Sequence, residues 1–171
     1  MVGVFKLRGR EIAYTGVFAG LYAVIVTSLA PISFGVYQVR IADALLPLSM
    51  MFGMPVAIGT CIGCLAANFY GGLGVIDIIG GSAANLIACT VAYHICRGSL
   101  TRKRRILGCF AETVIITFIV GGYLSLIFNI PIEIGLISIF IGSFIAINIL
   151  GYLLLEALLR RGFSPKQYRR K

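Results

Sequence analysis

All but one of the 15 Lys and Arg residues of this chain lie in three clusters, and the sequence between the clusters is strongly apolar. The clusters comprise Lys6, Arg8 and Arg10; Arg97 and 102–105; and Arg160, Arg161, Lys166 and 169–171. Lys and Arg are concentrated in the cytoplasmic segments that flank membrane spans. The pattern predicts an integral membrane protein whose two termini and central loop all lie on the cytoplasmic side.

Composition supports this class. The 171 residues are 59% hydrophobic and only 12% charged, which is too apolar for a soluble domain. The net charge of +9 lies in segments next to spans, where anionic lipid explains it better than nucleic acid does. The apolar tract after Arg10 is longer than the core of a signal peptide and is followed by further spans, so we expect it to be retained.

Spans of about 20 apolar residues predict one transmembrane domain over 1–171. Because two cytoplasmic segments must be separated by an even number of crossings, residues 36–70 cannot form a single span. They form either two short helices that turn near 53–55 or a re-entrant hairpin, and we favour two helices. The prediction is an all-α bundle of six transmembrane helices with both termini cytoplasmic, with the helices at about 12–31, 36–52, 56–70, 77–96, 106–128 and 134–159.

Polar residues at membrane depth gather toward the predicted outer side. They are Gln38, Arg40, Asp43, Asn68, Tyr70, Asp77, Asn85 and Glu133. Charged residues inside spans are rare and usually functional, so we predict that this set binds a substrate. Carboxylates, amides, a guanidinium and a phenol suit a planar polar molecule with both hydrogen-bond donors and acceptors.

Structural interpretations of the same residues stay open. Arg40 and Asp43 lie three residues apart on one helix face, where they can simply neutralise each other. Asp77 in the first turn of a helix is favoured by the helix dipole without any ligand. For Glu112, about two turns from 102–105, we expect pairing with a neighbouring arginine.

A stripe of small residues follows the first helix. Gly16 and Gly20, and Ala19 and Ala23, are each four residues apart, which permits close approach of another helix. That helix can belong to this bundle or to a partner protein.

No catalytic or cofactor motif is present in the sequence. The single histidine leaves no HExxH motif, GxSxG and GxxxxGK[ST] are absent, and Cys61 and Cys64 have no second pair at zinc-site spacing. We therefore predict a protein that is not an enzyme, holds no metal and binds no cofactor.

The sequence Val36-Tyr37-Gln38-Val39-Arg40-Ile41-Ala42-Asp43-Ala44-Leu45 resembles the outer end of the second helix in the QueT transporter family. Gly59, Gly63, Asn68, Asp77 and Gly80 extend the resemblance, which covers about 10–160. Ala42-Asp43 stands where the family pattern has Ser-Glu, so the charge is kept on a shorter side chain.

The resemblance implies a substrate-binding S-component of an energy-coupling factor (ECF) transporter in the cell membrane. Such a component captures a queuosine precursor, a 7-deazaguanine, from outside the cell. The resemblance further implies that two ATPase subunits hydrolyse ATP and, together with a transmembrane coupling protein, drive release inward. The resemblance also implies that the stripe with Ala19 and Ala23 docks on the coupling protein.

Two other classes remain as alternatives. A gradient-driven secondary transporter or channel can use Arg40, Asp43 and Asp77 as an ion relay, although no inverted repeat is evident. A membrane enzyme is disfavoured because no catalytic pair is present.

Overall fold

A computed structural model describes residues 9–163 as a chain of helices joined by short loops. In order, these are α1 (Gly9–Ser28), α2 (Ala30–Ser33), α3 (Ile41–Phe52), α4 (Met54–Gly71), α5 (Val75–Cys96), α6 (Arg102–Ile127) and α7 (Ile132–Arg160). Within the described range, α1 and α4–α7 are the five helices long and apolar enough to cross a membrane. The prediction of an all-α membrane protein is confirmed.

The third helix differs from its prediction. Residues 36–40 are not helical, and α3 consists of an eight-residue 3₁₀ helix, Ile41–Leu48, followed by a four-residue α-helix, Ser49–Phe52. At roughly 2.0 Å per residue in the first part and 1.5 Å in the second, α3 spans about 22 Å, less than the ~30 Å hydrocarbon core. The predicted helix over 36–52 is therefore wrong at its start, and α3 falls short of a full span.

Tertiary hydrogen bonds explain the extended segment before α3. The Val39 amide donates to the Ile32 carbonyl at 2.9 Å, and the Ser138 hydroxyl donates to the Val36 carbonyl at 2.7 Å. These bonds satisfy backbone groups that a helix would otherwise pair internally. Hydropathy carries no signal for them.

The other boundaries agree with the predicted spans to within a few residues. The largest difference is at α6, which begins at Arg102 rather than near 106. Its first turn contains the basic residues, since a helix can continue beyond the apolar core where water solvates its side chains.

A sharp turn at Gly53 separates α3 from α4, as the sequence predicts. Gly53 has φ 77° and ψ −148°, a conformation that only glycine adopts readily. It lies beside the Tyr93 ring in the last turn of α5, and nearby the Cys96 thiol lies 3.3 Å from the Met50 sulfur. The α3–α4 hairpin therefore turns at the end of the bundle where α5 ends.

The described members of the three basic clusters lie at this same end, which we term the basic end. Near the start of α1, the Tyr14 ring packs 5.5 Å from the Phe52 ring, measured between centroids. Arg105 at the start of α6 forms a 2.5 Å salt bridge with Glu156 near the end of α7. The predicted shared side of these clusters thus matches the fold, while Lys6, Arg8, Lys166 and 169–171 lie outside the described residues.

Helices α1 and α4 approach each other closely at two glycines of α4. A Cβ at Gly59 would lie 2.7 Å from the Thr15 carbonyl oxygen, and one at Gly63 would lie 2.6 Å from the Ala19 carbonyl oxygen. Both distances are too short for any side chain. The absence of Cβ atoms on α4 therefore sets the α1–α4 distance.

Two π-helical segments interrupt α6 and α7 at mid-depth, over Thr117–Gly121 and Phe144–Gly151. Next to the second, Gly142 contacts the Gln38 backbone so closely that a Cβ would collide with the Gln38 carbonyl oxygen. Such π segments often occur at functional sites because they re-aim side chains. Here they adjoin a small polar cavity.

Candidate functional site

A cavity of about 10 Å³, roughly the room one water molecule needs, lies between α3, α5, α6 and α7. Its lining residues are Gln38, Arg40, Asp43, Asn85, Ile116, Val120, Ile139 and Ser143. The structure thus brings together four of the polar residues singled out from the sequence. They come from segments distant in the chain.

Arg40 is buried at the junction between the extended segment and α3. Its guanidinium lies over the Phe34 ring, 5.6 Å from the ring centroid, and Nη1 lies 3.6 Å from the Cys64 sulfur. Nε and Nη2 have no hydrogen-bond partner within residues 9–163. A buried guanidinium with free N–H groups is a strong donor for an anionic or carbonyl oxygen.

Asp43 lies in the first turn of the 3₁₀ segment and is buried. The Tyr22 hydroxyl of α1 donates to its Oδ1 at 2.7 Å. Within the described part of the chain, Arg40 and Asp43 do not form a salt bridge. The geometry therefore does not favour direct neutralisation of Arg40 by Asp43.

Gln38 and Asn85 add an acceptor and a donor to the cavity. The Gln38 side-chain oxygen and the Asn85 side-chain nitrogen are buried and have no hydrogen-bond partner among the described residues. Leaving a buried polar atom unpaired costs roughly 1–3 kcal/mol. Such atoms are expected where a ligand completes the bonding.

Asn68 and Asp77 form a neighbouring cluster with Tyr123. The Asn68 side-chain amide donates to the Asp77 carbonyl at 2.8 Å, and the Tyr123 hydroxyl donates to Asp77 Oδ1 at 2.8 Å. Asn68 Oδ1 and Asp77 Oδ2 have no partner in the described range. Cys64 lies between this cluster and Arg40. Its sulfur is 3.6 Å from Arg40 Nη1, and a Cβ at Gly81 would lie 3.3 Å from that sulfur and 2.6 Å from Asn68 Nδ2.

Tyr70 and Glu133 do not join this arrangement. Tyr70 is 68% exposed at the end of α4, and Glu133 is exposed in the first turn of α7. Both lie toward the end of the bundle opposite the basic end. Neither contributes to the cavity lining.

The prediction that Glu112 pairs with a neighbouring arginine is wrong within the described residues. Glu112 is fully buried and accepts a 3.3 Å hydrogen bond from the Ser49 hydroxyl, while its Oε2 has no partner there. Arg105 instead reaches across to Glu156 and also donates to the Leu100 carbonyl. Arg105, two turns from Glu112 on the same helix, therefore bonds to groups on other segments.

The small-residue stripe of α1 is divided between two environments. Gly16 and Gly20 are exposed, and a Cβ at either would have no neighbour within 4 Å. Ala19 and Ala23 are half-buried, and Ala19 contacts Gly63 of α4. The alanines thus border the internal contact and the glycines face outward.

Two tyrosines of the site, Tyr22 and Tyr123, were not predicted. Tyr22 shares the buried face of α1 with Thr15, Phe18 and Val26, so helical periodicity would have revealed its burial but not its partner. Tyr123 follows a π segment that shifts the helical register. The sequence therefore gave no periodic signal for it.

The fold and the buried polar residues define a multi-pass membrane protein with a small polar cavity inside its helical bundle. The sequence model of one family, described as QueT transporter, matches residues 12–160. The chain belongs to the QueT transporter family, and it is a transporter rather than an enzyme. No curated protein and no solved structure matches it.

Proposed function

We propose that this chain is the substrate-binding S-component of an ECF-type importer in the cell membrane and that it captures a queuosine precursor of the 7-deazaguanine type. A coupling protein and two ATPase subunits supply the ATP-driven step, and this chain binds no cofactor itself. Membership of a transporter family and the lack of an ATP-binding motif in the sequence support this assignment.

The observation that carries the proposal is a set of buried polar atoms in one region that have no hydrogen-bond partner in the described part of the chain. They are Gln38 Oε1, Arg40 Nε and Nη2, Asn68 Oδ1, Asp77 Oδ2 and Asn85 Nδ2. The set contains both donors and acceptors. A 7-deazaguanine offers a carbonyl acceptor beside N–H donors on one edge, which matches that mixture.

Ligand entry requires the lining helices to separate. A bicyclic base is much larger than the single water molecule that about 10 Å³ accommodates. The lining elements α3, α6 and α7 contain 3₁₀ or π segments, whose hydrogen bonding is less regular than that of an α-helix. These segments are the natural places for an opening movement.

Docking on the coupling protein involves the outward face of α1. Only 17% of its most apolar window is buried, compared with 44–50% for the other four long helices. Gly16 and Gly20 give this face a shallow groove in which another helix can approach closely. Ala19 and Ala23 border the groove.

The test is direct binding followed by reconstituted uptake. Detergent-purified protein is titrated calorimetrically with 7-deazaguanine, and proteoliposomes with and without the coupling protein and ATPases are assayed for ATP-dependent uptake. We expect binding by the chain alone and uptake only with the full complex. Lack of binding to any 7-deazapurine would refute the ligand class, and uptake without the ATPases would refute the coupling.

One observation favours a second candidate, a gradient-driven transporter. Glu112 is a fully buried carboxyl inside the helical bundle without a cationic partner in the described residues, and such groups occur in proton relays. Collapsing the proton gradient with an ionophore distinguishes the two candidates. Uptake that survives the ionophore but stops without ATP supports the first candidate, and the reverse result supports the second.

A further inference from the structure

Within residues 9–163, Asn68 and Asp77 each have one side-chain polar atom that forms a hydrogen bond and one that has no partner. Asn68 donates through Nδ2 to the Asp77 carbonyl, so its amide oxygen is the free atom. Asp77 receives the Tyr123 hydroxyl at Oδ1, so Oδ2 is the free atom. Both free atoms are hydrogen-bond acceptors.

The free atoms of Arg40 and Asn85 have the opposite character. Arg40 Nε and Nη2 and Asn85 Nδ2 are all N–H donors. The site therefore has one side with the donors of Arg40 and Asn85, where Gln38 Oε1 is also an unpaired acceptor, and an acceptor side at Asn68 and Asp77. Cys64 and Gly81 lie between the two sides.

We infer that Tyr123 is a positioning residue that determines specificity. It holds the Asp77 carboxylate in place, so that Asp77 Oδ2 and Asn68 Oδ1 accept hydrogen bonds from neighbouring N–H groups of the ligand. This inference rests on the proposed function and deepens it. The selected feature is a pair of adjacent N–H donors, as in a 2-amino-substituted pyrimidinone ring. The ligand carbonyl then faces Arg40 and Asn85.

The packing around Tyr123 supports a positioning role. Its ring lies against Gly80, where a Cβ would be 2.9 Å away, and its hydroxyl lies 3.2 Å from a Cβ position at Gly81. Two successive glycines thus make room for the phenol. Without the hydroxyl, the Asp77 carboxylate would lose the bond that holds Oδ1, and the direction of its free oxygen would no longer be fixed.

The test compares two ligands that differ in one donor group. Calorimetric titration measures the dissociation constants of 7-deazaguanine and of 7-deazahypoxanthine, which lacks the exocyclic amino group. We expect the wild-type protein to prefer 7-deazaguanine by about tenfold or more, the effect of one hydrogen bond to a charged group. Tyr123→Phe should reduce this ratio toward one, mainly by weakening 7-deazaguanine.

Asp77→Asn provides the second variant and a coupling measurement. It replaces the free acceptor with an N–H donor and should remove the same preference. Adding Tyr123→Phe to Asp77→Asn should then change the ratio no further, because the acceptor is already lost. Tyr14→Phe, at the basic end, is the matched control and should keep the wild-type ratio.

The outcomes separate the inference from the proposed function. Wild-type binding with an unchanged ratio in Tyr123→Phe, or an equal loss for both ligands, overturns the positioning role alone. If Tyr123→Phe fails to fold, an unchanged ratio in Asp77→Asn overturns it instead. Absence of wild-type binding to both compounds overturns the ligand class and the inference with it.

Discussion

Tyr22 of α1 donates a 2.7 Å hydrogen bond to Asp43 of α3, and both residues are buried. The bond joins the helix proposed for docking to the segment that lines the cavity. Through this bond, a movement of α1 relative to α3 would alter the environment of a carboxylate that lines the cavity. Under the proposed function, this bond is a direct physical route by which docking on α1 and ligand binding at the cavity can affect each other.

We predict that Tyr22→Phe lowers stability as well as ligand affinity. Removing the hydroxyl leaves a buried carboxylate oxygen without its donor, at a cost of about 1.5–3 kcal/mol. Thermal unfolding in detergent measures the effect. Tyr14→Phe loses only two exposed hydrogen bonds from Arg10, so it should stay within about 0.5 kcal/mol of the wild type.

We predict that Arg40→Gln and Asp43→Asn each weaken ligand binding by roughly 2–5 kcal/mol, the range for truncating one member of a buried charged contact. Calorimetric titration of 7-deazaguanine into both single variants and the double variant measures this. If the two residues only neutralised each other, the double variant would regain the wild-type melting temperature and affinity. Full affinity in the double variant would remove both residues from the site.

We predict that Gly63→Ala destabilises the fold by about 1–3 kcal/mol, the usual cost of overpacking. The new Cβ would lie 2.6 Å from the Ala19 carbonyl oxygen and would force α1 away from α4. Gly20→Ala is the matched control, since its Cβ would meet nothing within 4 Å. Equal melting temperatures for the two variants would contradict the close contact.

We predict that leucine at both Gly16 and Gly20 abolishes complex-dependent uptake while ligand binding by the isolated chain is retained. A Cβ at either position would meet nothing within 4 Å, so leucine side chains there extend into the outward groove and block close approach of another helix. Leucine at both Ala19 and Ala23 should also block uptake, but these half-buried positions put the α1–α4 contact at risk. Ala66→Leu, at an exposed position on α4, serves as the control.

We predict that cysteines introduced at Val75 and Pro131 react with an impermeant thiol reagent from outside the cell, whereas one at Thr101 does not. All three positions are exposed, and Thr101 lies in the loop of the basic end. The experiment uses a background without the five native cysteines. Reaction of the cysteine at position 101 with the external reagent would show that the basic end faces outward and would contradict the predicted orientation.

Residues whose chemistry conflicts with an apolar surrounding were predictable from the sequence. Gln38, Arg40, Asp43 and Asn85 stand out in apolar tracts, and the structure gathers them around one cavity. The turn at Gly53 was equally predictable from Gly53-Met54-Pro55. Local composition determines both features.

Features that depend on contacts between distant segments were not predictable. The extended segment before α3 is held by Ile32 and Ser138, neither of which marks residues 36–40 as non-helical. Glu112 pairs with Ser49, which is 63 positions away, rather than with an arginine on its own helix. Tyr123 donates to Asp77 on another helix, and the π segment before Tyr123 shifts its register in a way that hydrophobic periodicity does not show.

The small size of the cavity has a kinetic consequence. If only a fraction of molecules is open at any moment, the apparent dissociation constant exceeds the intrinsic one by the reciprocal of that fraction. At an open population of about 1%, apparent affinity falls about a hundredfold, and at high ligand concentration the association rate reaches a plateau set by opening. Gly142 packs against the Gln38 backbone beside the cavity, so an opening that moves α7 away from Gln38 would break this contact. The association rate and the apparent dissociation constant would then both depend on that contact, without any change in the groups that touch the ligand.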